Sequence, residues 1–522
     1  MSDKENFIAK INEGYTFKGE SIILGSSILN EEPLTGVHVR LPLKTLNRHG
    51  LIAGATGTGK TKTLQLITEG LSSKSIPVFV MDIKGDFSGI AMPGTVNDKI
   101  TDRMNKIGLP FESSGFPVEF LTISGEKGAR LRATVSEFGP VLFSKMLGLN
   151  DAQTGVVSMI FKYCDDNHLP LLDLKDMVKI LQFISNEGKE ELQKAYGNIS
   201  TTSVGTILRK VIELQQQGAD VFFGERSFEV NDLLRVDDTG RGVISIIRLT
   251  DIQSKPKLFS TFLLCLLVEI YNTFPEAGDM DQPKLVMFID EAHLIFSEAT
   301  NELLEQINAI IKLIRSKGVG IFFCTQNPID IPDSVLAQLG LKIQHALRAF
   351  TAKDRKQIKL IAENYPMSEF YKTEDMLTSL GIGEAAVSVL SEKGNPTPLS
   401  ATLLCAPRSR MDVLSQQEID SIVNSSKLVQ KYSEEIDRES AFEILKSKLE
   451  ASEKIALEEK VQKDEQKKET ENEKPKVKST LEKVLTSTAT RQVGRTVARE
   501  VTRGILGVLG IGSKSKGNKS WF

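Results

Sequence analysis

Residues 54–61 read G-A-T-G-T-G-K-T, and this string constrains the fold more than any other part of the chain. It fits G-x-x-x-x-G-K-[ST], the pattern of a phosphate-binding loop set between a strand and a helix. The flanks suit that context. Leu51, Ile52 and Ala53 form an apolar run before it, and Leu64, Ile67 and Leu71 follow at helical spacing. Gly54, Gly57 and Gly59, with Ala55, Thr56 and Thr58 between them, let the backbone curl into a nest of N–H groups facing phosphate oxygens. The helix that begins there adds the positive end of its dipole. Lys60 can reach the β- and γ-phosphates of ATP, the Thr61 hydroxyl can bind Mg²⁺, and Lys62 completes the expected nucleotide-binding set. An ordinary glycine-rich turn is the plainer alternative, but strand before and helix after favour a nucleotide.

The 522 residues allow a large core with appendages. A net charge of −3 gives no chain-wide signal for nucleic acid, so any such surface must be local. Cys164, Cys265, Cys324 and Cys405 lie far apart with no C-x-x-C pair. That points to buried thiols in a reducing cytoplasm rather than to disulfides or zinc. The N-terminus is too polar for a signal peptide. The most apolar helical stretch, residues 259–271, is short and carries Glu269, so no transmembrane segment is expected and the localisation reads as cytoplasmic.

Along the chain, Val37, Val39 and Leu41 alternate with His38 and Arg40, and residues 1–46 read as a short N-terminal β segment. Residues 47–407 read as the core. Strand-like runs at 51–53, 76–81, 117–123, 243–249, 285–289, 319–324, 343–347, 385–390 and 401–404 alternate there with helical patterns. Continuous apolar runs joined by helices predict an α/β fold with a mostly parallel, two-sided sheet. Residues 126–240 carry helical patterns almost throughout and read as an insertion. Residues 408–480 read as a charged helical linker and 481–522 as a basic amphipathic tail. In that tail Arg491, Arg495, Arg499 and Arg503 recur opposite Val493, Val497, Val501 and Ile505. Such a helix suits docking on the main body, DNA phosphates, an anionic membrane surface or a partner.

The run L-V-M-F-I ends in Asp290 and Glu291, as a buried strand does when its C-terminal tip meets a nucleotide. Asp290 would hold the Mg²⁺ shell, and Glu291 could polarise a water for attack on the γ-phosphate. The plainer role for Asp290 is capping the next helix. Gln326 ends the next strand, where an amide can sense the γ-phosphate or orient the water. Arg315 lies in the last turn of the helix between them, where a cation favours the helix dipole and Gly318 terminates the helix. D-E-A-H at 290–293 resembles the box of a large RNA and DNA helicase superfamily. The late Q-x-x-G-R-x-x-R motif of that superfamily has no correctly spaced counterpart, so it is rejected.

Taken together, N-R-H-G-L-I-A-G-A-T-G-T-G-K-T, M-D-I-K-G-D-F-S-G, D-V-F-F-G-E, D-E-A-H, C-T-Q-N-P and H-A-L-R-A-F-T span most of residues 47–405. This combination resembles the HerA–FtsK superfamily of ring-forming P-loop motors, within it the bacterial HerA-like group typified by YjgR. The resemblance implies a RecA-like core, a homo-hexameric ring and ATP-driven movement on, or unwinding of, double-stranded DNA. It also implies an arginine finger in trans at the position of Arg315, and a sensor at Gln326. Asp82 and Asp86 match acidic positions to which no step is assigned, and Arg348 is a second arginine candidate for a nucleotide or interface contact. HerA proper uses an N-terminal β-barrel to recruit a nuclease, and residues 1–46 are too short for one. A nuclease or other partner would then meet the N-terminus or the basic tail. The rival readings are an ATPase pump for another polymer or protein cargo, and a nucleotide-dependent scaffold with little turnover.

Overall fold

The structure, a computed structural model, describes residues 2–252, 256–298, 301–434, 436 and 438–472. The tail at 481–522, with its arginine and valine faces, lies outside the described residues. The described residues form two units: those within 2–133 and 217–436, and those within 134–216 and 438–472.

The first unit is built on a sheet of β1 (Ser21–Leu29), β2 (Glu32–Pro42), β3 (Gly50–Ala53), β4 (Val78–Asp82), β5 (Val118–Thr122), β6 (Ala129–Arg130), β7 (Ile244–Arg248), β8 (Leu285–Ile289), β9 (Val319–Thr325), β10 (Leu341–Gln344), β11 (Glu384–Ser388) and β12 (Ser400–Leu404). Their order is β2-β1-β12-β11-β10-β3-β9-β8-β4-β7-β5-β6. From β10 to β6 every pairing is parallel, and from β2 to β10 every pairing is antiparallel. The sheet is therefore mostly parallel, as the unbroken apolar runs predict.

Burial follows the twofold period of a strand. Ala385 and Val387 of β11 join a core with Ile52, Ile67, Val80, Phe288 and Phe322. Ala386 between them joins a second core with Ile100, Ile107, Ile358 and Leu377. Both faces of the sheet are thus packed.

Residues 1–46 hold more than the expected β segment. The Asp3–Gly14 helix opens them, with Ser2 and Glu5 forming a capping box, and buries Phe7 and Ile11. β1 and β2 are then edge strands of the common sheet, β1 pairing with β12 from Gly25↔Leu404 to Ser27↔Thr402. The boundary expected at 46/47 therefore falls inside one continuous sheet.

The second unit contains the Val135–Met146, Asp151–Asp166, Leu174–Ser185, Lys189–Tyr196 and Thr201–Gln216 helices, each where the spaced apolar residues place one. Thr134, Asn150 and Asp173 start the first three with capping boxes. The inserted helical unit is narrower than 126–240, because residues 126–133 and 217–240 belong to the first unit.

The stretch expected as one linker, 408–480, divides between the units. The Gln416–Ser425 and Lys427–Ser433 helices belong to the first, where Tyr432 is buried and donates to Asp232 Oδ2 at 2.6 Å. The Ala441–Asn472 helix belongs to the second. There the Ser440 hydroxyl and the Phe442 N–H both donate to Asp176 Oδ1, at 2.5 and 2.8 Å. A few buried side chains, Leu428, Tyr432, Ala441 and Leu445, anchor this otherwise polar stretch.

Candidate functional site at the C-terminal ends of the parallel strands

β3 leads directly into the phosphate loop, and the Lys60–Ser73 helix leaves it. The loop is fixed from three directions. The Gly54 N–H donates to Thr325 O at the tip of β9, and the Ala55 N–H to Ala346 O just past β10. The Gly383 N–H donates to Thr58 O at 3.0 Å. Glycine is required at two points. Gly54 has φ +152°, and a Cβ there would lie 2.5 Å from His345 Cβ; Gly59 has φ +111° as the residue before the helix. His345 packs beneath the loop with Nε2 2.9 Å from the Thr63 hydroxyl. Burial, reinforced by the Lys60 ammonium, pushes its pKa down to about 4, so the ring is neutral.

The Lys60 ammonium donates to Gly54 O at 2.7 Å and Ala55 O at 3.1 Å, across the concavity of its own loop. Burial lowers its proton affinity, the Lys84 ammonium lowers it further, and Glu291 and Asp290 partly restore it. Lys60, Lys84 and the acid pair therefore share one electrostatic environment. Lys62 does not join it: its ammonium donates to Met411 O and, at 3.4 Å, to Gln65 Oε1.

Asp290 and Glu291 end β8. Burial, followed by the neighbouring Glu291 carboxylate, raises the Asp290 pKa to about 7. Glu291 is buried and sits at φ +47°, the left-handed region that ordinary side chains avoid. Its Oε1 pairs with the Lys84 ammonium. Oε2 accepts from Gln326 Nε2 at 3.4 Å and lies 3.2 Å from His293 Nδ1.

Lys84 and Asp86 come from the loop after β4, and Asp82 shapes that loop. The Asp82 carboxylate accepts from the Gly85 and Phe87 N–H groups at 2.8 and 3.2 Å. Burial and Asp86 raise its pKa to about 6. Asp86 Oδ2 accepts from the Thr61 hydroxyl at 3.4 Å, while Asp86 Oδ1 is buried without a hydrogen-bond partner. Spare carboxylate oxygen beside a threonine hydroxyl and a phosphate loop fits Mg²⁺, which takes few protein ligands and shares its shell with phosphate and water. Among the described residues no group of three or more His, Cys, Asp or Glu forms a separate metal site.

Lys60, Thr61, Asp290, Glu291 and Gln326 are thus brought together, and Arg315 is not. The Asn301–Ile314 helix ends in a 3-10 turn at Arg315–Lys317, and Gly318 in the left-handed conformation delivers the chain into β9. Arg315 therefore sits near the start of β9 and Gln326 just beyond its end, roughly 20 Å apart at the usual rise per strand residue. Arg315 is exposed and lines a cleft with Lys44, Asn47, Arg48, Asp279 and Lys312. Burial and the Arg48 guanidinium lower its proton affinity. Beneath this cleft the buried His49 Nε2 contacts Ile311 O at 2.8 Å, and its Nδ1 accepts from the Ile321 N–H at 3.1 Å. Arg348 is exposed past β10.

Sequence reasoning missed two residues of interest. Lys84 meets a partner 207 positions away, so no local pattern announces it. Arg48 belongs to the N-R-H-G string before the phosphate loop, but only the fold sets it beside Arg315.

Comparison with known proteins places this geometry in a lineage. The chain is 22% identical over 357 residues to the DNA double-strand break repair helicase HerA of Sulfolobus acidocaldarius, covering 68% of this chain and 64% of that protein. It thus spans under two thirds of that relative's length. Among solved structures it resembles the bacterial conjugative coupling protein TrwBdeltaN70 in its unbound monoclinic form, with TM-score 0.51, 13% identity and coverage of 78% of this chain and 94% of the other. It likewise resembles the plasmid coupling protein TrwB in complex with ADP and Mg²⁺, with TM-score 0.50, 13% identity and coverage of 76% and 97%. At such identity the likeness is one of fold, the RecA-like P-loop arrangement. Residues 28–516 match the family described as helicase HerA-like C-terminal, and the chain belongs to that family.

Proposed function

We propose that the chain is an ATP-hydrolysing motor that moves along or unwinds double-stranded DNA as a homo-hexameric ring. One observation carries this reading: Glu291 and Gln326 converge beside the phosphate loop at one end of the strands, while Arg315 is exposed at the opposite end. A subunit built this way has most of an ATPase site and an arginine that only a neighbour's nucleotide can meet. The name of the archaeal relative supports DNA as cargo.

In this reading the N–H groups of residues 54–61 and the Lys60 ammonium hold the phosphates of ATP. Thr61 and Asp290, with Asp86 beside them, would hold Mg²⁺, which when bound neutralises phosphate charge. The TrwB complex with ADP and Mg²⁺ supports that pairing. Gln326 orients a water, and Glu291 takes its proton as the oxygen adds to the γ-phosphorus. The bond to the β-phosphate oxygen breaks, leaving ADP and phosphate. Arg315 of the neighbouring subunit, with Arg48 beside it, meets the charge that builds on the transferred group. Lys62 acts through its backbone at the start of the helix. A nuclease or other partner would engage the N-terminus or the basic tail. The cytoplasm is the setting, in keeping with four free cysteines.

The test is ATP turnover with and without linear duplex DNA at two salt concentrations. Stimulation that fades with salt is expected, because phosphate contacts release counterions. Turnover indifferent to DNA would move the cargo to another polymer or a protein, and no turnover would leave a scaffold.

A further inference from the structure

We propose that Lys84 is a γ-phosphate-sensing residue: it holds the Glu291 carboxylate in the nucleotide-free state and passes to the γ-phosphate when ATP binds, which frees Glu291 to act as base. The proposal rests on the role given to Glu291 above, and three observations carry it.

The first is the pairing itself. Lys84 and Glu291 Oε1 form a direct ion pair, and Gln326 and His293 occupy the vicinity of Oε2. A carboxylate engaged on both oxygens is poorly placed to accept a proton from water, so this arrangement is a resting one.

The second is exposure. The Glu291 side chain is 6% accessible and that of Lys84 is 41%. Of the paired side chains, the lysine is the one open to solvent and the carboxylate is enclosed.

The third is the tether. Lys84 sits in a loop that Asp82 fixes at Gly85 and Phe87, while its own side chain is long and rotatable. It shares its field with Lys60, whose place is at the phosphates. Only the outer part of one side chain must move to exchange a single carboxylate oxygen for a phosphate of higher charge. No bond forms or breaks in this exchange, and the ammonium keeps its protons. ADP lacks the γ-phosphate and leaves Lys84 on Glu291, so the device separates ATP from ADP before chemistry begins.

The test uses the full-length protein and measures binding of a non-hydrolysable ATP analogue and of ADP. Lys84→Met removes the ammonium with little change of volume. It should weaken the ATP analogue by roughly 10- to 100-fold, the worth of one charge-assisted hydrogen bond, while ADP affinity stays within about twofold. Lys84→Arg should restore most of the difference. Glu291→Gln removes the competing anion, so this variant should bind the ATP analogue more tightly than the natural protein, and the gain should vanish in Lys84→Met/Glu291→Gln. A merely structural lysine would weaken ADP and ATP analogue alike, and that result would overturn the proposal. So would an ATP-analogue gain in Glu291→Gln that survives loss of Lys84. If the natural protein turns over ATP while Lys84→Met keeps its ATP-to-ADP preference, this inference fails and the proposed function stands. A natural protein that binds no ATP ends both.

Discussion

The two ends of the parallel strands differ in almost every physical respect. At the C-terminal ends, Lys60, Lys84, Asp86, Asp290 and Glu291 share one electrostatic environment, in which Lys84 pairs with Glu291 and Lys60 donates to Gly54 O. At the N-terminal ends, Lys44, Arg48, Lys312 and Arg315 line an open cleft with two acids, Asp279 and Glu392, and Asp279 lies 3.4 Å from Lys44. The first end is a prepared site in which cations and acids of the same subunit meet. The second is a surface on which the cations outnumber the acids among the lining residues. In the proposed ring, the two ends would act as complementary halves of one reaction centre.

The largest expected effect breaks the comparison at the cationic end. Arg315→Ala should fold and bind ATP normally, yet lose roughly 10³- to 10⁵-fold in turnover, the worth of an arginine finger. A plain helix-terminal arginine would contribute only about 0.3–1 kcal/mol to stability and leave turnover intact. Mixed assemblies of Arg315→Ala with Lys60→Ala, verified by differential tags, should recover activity that neither variant has alone. Verified mixtures that stay inactive would argue against a finger acting across subunits.

At the prepared end, Glu291→Gln should retain nucleotide binding and lose on the order of 10²- to 10⁴-fold in turnover, the usual contribution of a general base. Single-turnover kinetics check it. Loss of binding instead would return Glu291 to a structural role.

The smallest effect sharpens a symmetry between the ends. Each holds a buried neutral histidine, His49 below the cationic cleft and His345 below the phosphate loop, each pushed down to about 4 chiefly by burial. A depressed histidine pKa means that the unfolded chain binds protons the folded one refuses. Stability from each is therefore complete above about pH 6.5 and is lost as pH falls through about 4. For His49 alone the loss by pH 5 is on the order of 2 kcal/mol. Urea denaturation at pH 7 and pH 5 should show a smaller difference in His49→Gln than in the natural protein. An unchanged difference would mean that His49 titrates normally.

What the sequence disclosed followed from locality. β8 lies where its five apolar residues predict, and the phosphate loop could be read because its residues are consecutive. β1 escaped because S-I-I-L-G-S-S-I-L mixes polar and apolar residues. Its Ser26 and Ser27 are buried only because Leu34 O, Val37 O and Ser400 satisfy them, partners visible only after folding. The Asp3–Gly14 helix escaped because it buries only Phe7 and Ile11. In the site, Asp290, Glu291 and Gln326 stand at strand tips that periodicity can locate, and Lys60 stands in the consecutive phosphate-loop string. Lys84 stands in a loop, and its meaning lies in a contact across the fold.

One further consequence follows from the adjacency of β3 and β9. These strands are hydrogen-bonded in parallel from Gly50↔Phe322 to Ala53↔Thr325. One end of the pair carries Gly54 and Gln326, the other Arg48 and Arg315. In the proposed motor the pair would be a stiff bar with a working tip at each end. In a closed ring, a subunit that tilts to grip its own ATP must swing its far tip relative to the neighbour's phosphates. Firing order around such a ring would then be a matter of leverage, each subunit acting as the escapement of the next.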